Sequence, residues 1–285
     1  MSNVEISVGE STPETPVAPH KPRAASQLRV LRNRVIAITV ILVAWEAAAG
    51  GFGSRFQVFD PIIVASPSAA VLDLIDYARS GIFVTDLEST FFAAFFGLMI
   101  GFVSGAVAGI VFGYWKGIAE TFEPIVVALN SLPRIAVAPL ILMWLGLGLD
   151  SKVVVSAFSV FFVVFFNAFL GTRAIDPDLV RAVHSMGASK FQVTRIVVVP
   201  AVASWIFAAM RTCISFALTS TITAEFVGST AGLGYRLELA AGLLDTKRVF
   251  AILFVLMALG GLLVEINKLV ENRVLRWRPK SQLQV

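Results

Sequence analysis

The residues of this chain that could do chemistry are polar side chains set inside long apolar runs. Five of them are candidates for lining a polar path through a membrane: Asn130, Arg134, Asn167, Arg211 and Glu225. A charged side chain at membrane depth is costly, so each should face either a polar partner or a water-filled cavity. The two arginines point to electrostatic attraction of an anion, whereas covalent catalysis would require other residue types.

Three interpretations of the arginines are open. Arg134 or Arg211 could form a structural ion pair with Glu225 or Glu46 on another helix. One or both could instead line a translocation path and attract an anionic solute, or they could extend to the membrane surface. Asn130 and Arg134 are four residues apart in the third span, so they are expected to share one helix face. Counting about 1.5 Å per residue from Glu123 places Arg134 near the bilayer centre.

No motif in the sequence supports catalysis. There is no phosphate-binding loop of the form G-x-x-x-x-G-K-[ST], there are only two histidines, and no set of residues has metal-ligand spacing. The single cysteine, Cys213, lies inside an apolar run and is expected to be a small core residue. We therefore expect a non-enzymatic protein without a cofactor of its own. If ATP drives it, another chain must bind that ATP.

The elements that position these residues are membrane helices. Hydrophobic residues make up 57% of the chain and charged residues 15%, against about 25% charged residues in soluble domains. The pattern predicts an all-α polytopic membrane protein with six transmembrane helices, at about 35–51, 90–114, 124–147, 153–170, 196–227 and 249–269. In the second span, a glycine at every fourth position from Gly97 to Gly113 predicts a close packing face.

Lysines and arginines predict the orientation and the domain limits. Of the 23 basic residues, fifteen fall on the side of the N-terminus, six fall on the other side, and Arg134 and Arg211 lie within spans. The positive-inside rule therefore places both termini in the cytoplasm. Residues 1–27 are predicted to form a disordered cytoplasmic tail, 28–275 the six-helix transmembrane domain, and 276–285 a cytoplasmic basic tail.

The stretch from Asp176 to Pro200 is a cytoplasmic polar interruption with helix signals of its own. Asp176 is suited to be an N-cap, with proline at the first helical position. Gly187 then breaks the pattern, and Ser189 with a glutamine three residues later forms the sequence of a capping box. The stretch is therefore predicted to contain two short helices around a glycine.

The first of these helices has an apolar face. Leu179, Ala182, Val183 and Met186 recur at helical spacing, whereas Arg181 and Ser185 lie on the polar side. Such a helix could lie on the bilayer surface as an interfacial helix. Alternatively, the pair could insert into a cleft of a cytoplasmic partner, with Gly187 allowing the turn between its two arms.

Residues 176–200 resemble the cytoplasmic loop of the inner-membrane permease subunits of bacterial ABC importers. That family's pattern is Glu-Ala-Ala, three residues, Gly, nine residues, Ile, one residue, Leu-Pro. Ala182, Gly187 and Pro200 match it, Val197 and Val199 replace Ile and Leu, and Arg181 and Val183 depart from it. Further motifs resemble the nitrate, taurine and aliphatic sulfonate branch: W-E at 45–46, S-P-S at 66–68, L-P-R-I-A-V-A-P-L at 132–140 followed by W-L-G-L-G, and A-E-F-V-G with G-L-G-Y within 224–235.

The resemblance implies a type I ABC importer transmembrane domain in the bacterial inner membrane. It implies a homodimer, two cytoplasmic ATPase subunits that bind ATP, and an extracytoplasmic binding protein that delivers solute. The coupling helices would comprise Asp176, Leu179, Ala182, Val183, Met186, Gly187, Ser189 and Pro200. The implied solute is a small anion such as nitrate, bicarbonate, taurine or another sulfonate, or an aromatic carboxylate. The alternative is an ion-coupled secondary transporter or channel, which would need no docking element.

Overall fold

The computed structural model describes residues 24–50, 58–60 and 62–274, and over these ranges the protein is helical, without strands. The expected all-α class is confirmed. The helices are α1 Ala24–Ala48, α2 Pro67–Arg79, α3 Ile82–Tyr114, α4 Lys116–Asn130, α5 Arg134–Leu145, α6 Leu149–Arg173, α7 Pro177–Ser185, α8 Lys190–Val193, α9 Val199–Val227, α10 Leu233–Gly242 and α11 Thr246–Val274. The predicted tails at 1–27 and 276–285 lie outside the described residues, apart from 24–27 in α1.

Four described helices are long and apolar enough to cross a membrane, namely α3, α6, the continuous stretch Lys190–Val227, and α11. The bent pair α4 and α5 makes a fifth if it counts as one span. Six spans were expected, and the one that is missing from this set is 35–51, which lies mostly on α1. The uncharged run between Arg34 and Glu46 is well short of the length that a span needs, which is about 20 residues. Cα packing also divides the chain after Trp45, so most of α1 belongs to a separate first unit.

The glycine ladder of α3 packs directly on the backbone of α6. A Cβ atom at Gly101 would lie 2.6 Å from the Ala157 carbonyl oxygen, and one at Gly105 would lie 2.6 Å from that of Phe161. The same close approach repeats along the ladder at Gly97, Gly109 and Gly113. The predicted packing face is confirmed, because any larger residue would force the two helices apart.

α9 completes the core by packing against α6 and α3. Buried residues of the three helices, including Val160, Val164, Val202 and Ile206, form the largest apolar cluster. Cys213 is fully buried in it, which confirms its prediction as a core residue. Close packing rather than a difference in hydrophobicity holds such helices together in lipid.

α2 lies against α10 and α11 at one end of the bundle. This helix is capped by the Ser66 hydroxyl, which accepts a hydrogen bond from Ala69 N at 3.3 Å. Tyr77, Leu233 and Ile252 form a small buried cluster there. Arg248 of α11 holds Asp73 with two hydrogen bonds, its Nη2 donating to Oδ1 at 3.1 Å.

The third expected span is broken rather than continuous. α4 ends at Asn130 and α5 begins at Arg134, and the two helices meet at 95°. Pro133 explains the break, because it has no N–H for the helix and disfavours helical backbone in the residue before it. The expectation that Asn130 and Arg134 share a helix face is therefore wrong. The depth of Arg134 in the bilayer, which was counted along a straight helix from Glu123, does not apply either.

The ladder predicts that Gly105→Ala will destabilise the protein, whereas Gly261→Ala will not. Both glycines lie in apolar helices, but a Cβ at Gly261 meets nothing within 4 Å. Overpacking at Gly105 should cost roughly 1–3 kcal/mol. Thermal unfolding in detergent measures the difference, and equal midpoints for the two variants would contradict the packing assignment.

Candidate functional site

The polar stretch at residues 176–200 begins with a capped helix, as predicted. The Asp176 carboxylate accepts a hydrogen bond from Asp178 N at 2.8 Å, and Pro177 occupies the first turn of α7. These contacts satisfy a free N–H of the first turn and favour helix initiation at Pro177. The start of α7 is thus specified by local sequence alone.

A tight turn at Gly187 separates α7 from α8. Gly187 has φ +85, a left-handed conformation that residues with a Cβ adopt only at a cost. Its N–H donates to the His184 carbonyl at 2.9 Å, which closes the end of α7. Ser189 then starts α8 with both bonds of the capping box: Ser189 N donates to Gln192 Oε1 at 2.7 Å, and Gln192 N donates to Ser189 Oγ at 3.3 Å.

The turn between the two helices presents large apolar side chains to the outside. Leu179 is 52% exposed, Met186 is 86% exposed, and Phe191 of α8 is 74% exposed. Ala182 is also exposed, whereas Val183 is half-buried. α7 buries none of its residues, so its own chain does not use this face. Exposed apolar residues concentrated on a short polar element indicate a surface that binds another molecule.

Arg181, the residue that departs from the family pattern, is satisfied locally. Its guanidinium pairs with the Asp178 carboxylate one turn earlier, and both side chains are more than three-quarters exposed. Such a surface pair contributes little to stability. Nothing in the structure explains why an arginine stands at this position.

α8 is the beginning of a membrane span rather than a separate short helix. Helical structure continues from Lys190 through a π-helical turn, Thr194–Val198, into α9. The prediction that the second helix ends near Pro200 is therefore wrong, because Val199 N bonds to the Thr194 carbonyl and α9 continues past Pro200. One wide turn accommodates the proline, which has no N–H of its own to donate. Pro200 is consequently the second residue of α9.

At the opposite end of α9, Glu225 forms a buried ion pair with Lys152 of α6. Lys152 Nζ donates to Glu225 Oε1 at 3.1 Å and to Ser89 Oγ at 2.9 Å, and it also bonds to the Ala231 carbonyl. The two charged side chains are 0% and 3% exposed. The Thr90 hydroxyl donates to the same carboxylate at 3.0 Å. Removing either charge would leave the other buried and unpaired.

A second buried carboxylate, Asp86 of α3, extends this network of buried polar groups. It accepts hydrogen bonds from Gly232 N at 2.8 Å, from the Tyr77 hydroxyl at 2.6 Å and from Arg236 Nε at 2.6 Å. Burial raises the pKa of the Tyr77 hydroxyl, and its bond to the Asp86 carboxylate raises that pKa further. Tyr77 therefore remains a protonated donor that ties α2 to α3.

The network holds the glycine-rich loop between α9 and α10. Gly234 N donates to Glu225 Oε2 at 2.7 Å, and Leu233 N donates to Thr90 Oγ1 at 2.8 Å. Gly232 has φ +124, and a Cβ there would lie 2.0 Å from Glu225 Oε1. The G-L-G sequence thus allows the loop backbone to reach the carboxylate, which a side chain would block.

The structure does not gather the five predicted path residues into one cluster. Glu225 lies in the buried network, and Asn167 is half-buried with its Nδ2 donating to the Val163 carbonyl at 2.8 Å. Asn130 is exposed at the end of α4, and Arg134 begins α5, with its side chain outside the described part. Arg211 is exposed on α9 and forms no ion pair with any described residue. Path lining by these residues stays a prediction.

The acids expected to pair with an arginine have other partners. Glu225 pairs with Lys152, and Glu46 accepts hydrogen bonds from both Ser68 N and Ser68 Oγ. Sequence reasoning missed Lys152 and Thr90 as partners of Glu225, from which they are 73 and 135 positions away. It also missed Asp86 as the partner of Arg236, 150 positions away. Separations of this size leave no periodic signal. The sequence offered one indication of this buried network: the acid Glu225 stands shortly before a glycine-rich loop.

The chain is similar to known membrane components of transport systems. Residues 97–276 match the family described as binding-protein-dependent transport system inner membrane component. The chain is 32% identical to the riboflavin transport system permease protein RibX of Chloroflexus aurantiacus, over 85% of this chain and 88% of the relative. It is 29% identical to the formylaminopyrimidine transport permease protein ThiX of Halalkalibacterium halodurans, over 85% and 94%. It is 25% identical to the taurine transport system permease protein TauC of Escherichia coli K12, over 86% and 89%.

Two solved structures share the fold. A chain of the MetNI methionine ABC transporter in inward-facing conformations superposes with a TM-score of 0.60 at 19% identity, covering 70% of this chain and 97% of that one. A chain of an amino acid ABC transporter superposes with a TM-score of 0.55 at 19% identity, covering 71% and 97%. At this identity the likeness concerns the arrangement of helices alone.

The ion pair predicts that Lys152→Met will lower the free energy of unfolding by about 3–5 kcal/mol, because it leaves the Glu225 carboxylate buried without its cation. Lys247→Met, at an exposed lysine of α11, is the matched control and should have little effect. Adding Glu225→Gln to Lys152→Met should restore part of the loss. Thermal unfolding in detergent tests this, and additive losses in the double variant would contradict a direct pair.

Proposed function

The chain belongs to the family of binding-protein-dependent transport system inner membrane components, and from that premise we propose which of its residues couple it to an ATPase and which solute it carries. Membership makes it the permease subunit of an ABC importer, a transport component and not an enzyme. Its fold is that of ABC importer transmembrane chains. Members of this family work with ATPase subunits and a substrate-binding protein.

The hairpin formed by α7 and α8 is the proposed docking element for two cytoplasmic ATPase subunits, one on each permease copy. The observation that carries this proposal is the exposed apolar face of Leu179, Met186 and Phe191 on two helices that each begin with a side-chain N-cap. A preformed helix that lays apolar residues into a groove loses little conformational entropy on binding. Ala182 would allow close approach, and ATP would be bound by the partner subunits.

The connection from the hairpin into the membrane supports a mechanical role. Helical structure from Lys190 to Val227 is continuous, so a displacement of Phe191 at the cytoplasmic end is transmitted directly to α9. The π turn and Pro200 lie where the docking element meets the span. In the proposed mechanism, ATP closes the ATPase dimer, the docking hairpins move together, and the spans reopen outward. The two states must differ in binding energy for this coupling to operate.

The proposed solute is a small anion of the nitrate, bicarbonate, taurine or sulfonate, or aromatic carboxylate type. Support comes from Arg211, which is exposed within a span and has no ion pair in the described structure. Arg134 adds a second basic residue at the start of a broken helix, a location where transporters commonly place solute sites. The named relatives include a taurine permease, and also riboflavin and formylaminopyrimidine permeases. Asn130 and Asn167 remain candidate path residues, whereas Glu225 would act by holding the glycine-rich loop.

We further propose that two copies form a homodimer in the bacterial inner membrane, with the path along the two-fold axis and both termini in the cytoplasm. The docking hairpin and Arg173 then lie on the cytoplasmic side. α2, α10 and the glycine-rich loop face the opposite side, where an extracytoplasmic binding protein would deliver solute.

Gly187→Val is expected to abolish co-purification of the ATPase and solute uptake, because a β-branched residue strains the left-handed turn at φ +85. Gly117→Val is the matched control, since a Cβ at this cytoplasmic glycine also meets nothing within 4 Å, but it lies in a helix with ordinary backbone. The permease is purified from its own host, and the partner is identified by mass spectrometry as a chain that contains G-x-x-x-x-G-K-[ST]. Unchanged partner yield with Gly187→Val would refute the docking assignment.

Leu179→Asp is expected to reduce the same partner yield at least tenfold, because it places a charge in the proposed contact while leaving the fold intact. Ser185→Asp, on the polar side of the same helix, is the control and should retain the partner. Membrane insertion of each variant is checked by its yield and elution volume. Equal losses from both variants would indicate general disruption of α7 rather than a specific face.

Arg134→Gln is expected to raise the KM for uptake of an anionic solute, because it removes a positive charge that attracts the solute. Arg134→Lys keeps the charge and should retain most of the affinity. Uptake is measured in whole cells with a panel of nitrate, bicarbonate, taurine and benzoate. Uptake kinetics unchanged in Arg134→Gln would exclude this residue from the path.

A further inference from the structure

One face of α9 is polar although it lies within an apolar span. Arg211, Thr212, Ser215 and Thr219 are all exposed, and their spacing places them along one side of the helix. The opposite side, which includes Met210, Cys213 and Ala217, is buried in the bundle core. From Thr212 to Thr219 the polar strip extends roughly 10 Å along the helix axis.

The other long spans expose a different kind of surface. In the middle of α3 the exposed residues are aromatic and aliphatic: Phe92, Phe95, Phe96, Met99, Ile100, Val103 and Val107. Ser104 on that face donates its hydroxyl to the Ile100 carbonyl at 2.6 Å and so presents no free donor. α11 likewise exposes Leu253, Met257 and Leu262. These faces suit lipid tails, whereas the strip on α9 does not.

Several donors on the strip have no partner within the described structure. Ser215 Oγ makes a long bond to the Arg211 carbonyl at 3.4 Å, and Arg211, Thr212 and Thr219 form no side-chain hydrogen bond with described residues. Glu225, the acid of α9, is taken by Lys152. The exposed part of the helix therefore has one positive charge and no negative one. In hydrocarbon, each unpaired group would cost several kcal/mol, so the strip must meet water, solute or polar protein.

We propose that Arg211, Thr212, Ser215 and Thr219 form the anion-contacting wall of the translocation path. The guanidinium raises the local concentration of anions, and the hydroxyls of Thr212 and Thr219 replace water around the anion as it passes. Ser215 turns its hydroxyl toward the solute by giving up its long bond to the Arg211 carbonyl. The assignment rests on the proposed importer function and adds to it the surface that selects the solute.

Thiol accessibility in the reconstituted permease tests this wall. Each test variant carries Cys213→Ala and one new cysteine, which is Thr212→Cys, Ser215→Cys or Thr219→Cys. The wild-type chain shows whether the buried Cys213 itself reacts with the reagents. Val103→Cys and Val107→Cys, on the lipid-type face of α3, are the matched controls. Each variant is treated with an anionic and a cationic methanethiosulfonate reagent and with a membrane-soluble maleimide, without nucleotide and during ATP turnover.

The strip cysteines are expected to react with the anionic reagent at least tenfold faster than the α3 controls. Relative to the rate of each reagent with a free thiol, they should also favour the anionic over the cationic reagent, and adding Arg211→Gln should remove most of that preference. Reaction with the maleimide alone would show a lipid-facing strip and overturn the proposal. Cross-linking between copies without aqueous labelling would show a closed protein interface and would also overturn it.

Labelling without nucleotide does not require a bound ATPase, so the two proposals can fail separately. Labelled strip cysteines in a permease that purifies without any ATPase would overturn the docking proposal and leave the path standing. Unlabelled strip cysteines in a complex with active ATPase would overturn the path proposal and leave the docking proposal standing. A reagent preference unchanged by Arg211→Gln would remove Arg211 from solute selection.

Discussion

The buried ion pair between Lys152 and Glu225 is the interaction on which the organisation of one end of the bundle depends. It joins α6 to α9, and Glu225 also binds Thr90 of α3 and the backbone at Gly234. Three spans and a loop thus share one carboxylate. A buried pair of this kind is weak evidence for added stability, since desolvation offsets much of the attraction. Its value is geometric, because the loop binds both charges: Lys152 donates to the Ala231 carbonyl, and Gly234 N donates to Glu225.

The two ends of α9 are built on different physical principles. At the N-terminal end, local backbone chemistry specifies the hairpin, through the Asp176 cap, the left-handed Gly187 and the capping box at Ser189. At the other end, long-range buried charges fix the helix among its neighbours. In the proposed coupling mechanism, this helix is held by buried charges at one end and bound to the ATPase at the other, so it transmits displacement between them. The single wide turn before Pro200 is the one irregularity along it.

Local features of this structure were predictable from the sequence, and long-range ones were not. The caps of α7 and α8, the turn at Gly187 and the packing face of α3 all follow from residue types at fixed spacing, and the structure confirms them. Pro133 is compatible with either a kinked or a broken span, and apolar composition does not distinguish the two, so the 95° break was not predictable. The partners of Glu225 and Glu46 were missed because tertiary pairing leaves no local pattern. The unpaired strip on α9 becomes visible only when burial shows which side of the helix is left uncovered.

The glycine ladder also limits how α3 and α6 can move relative to each other. Atoms of α6 pack against every glycine of the ladder, so the contact repeats every four residues, at Gly97, Gly101, Gly105, Gly109 and Gly113. A slide of one helix along the other by less than about 6 Å would drive Cβ atoms of neighbouring residues into backbone. Intermediate registers are therefore forbidden, and small sliding motions between these two helices are suppressed. We therefore expect α3 and α6 to move as one unit, with conformational change at its edges, where α9 and α5 contact α6.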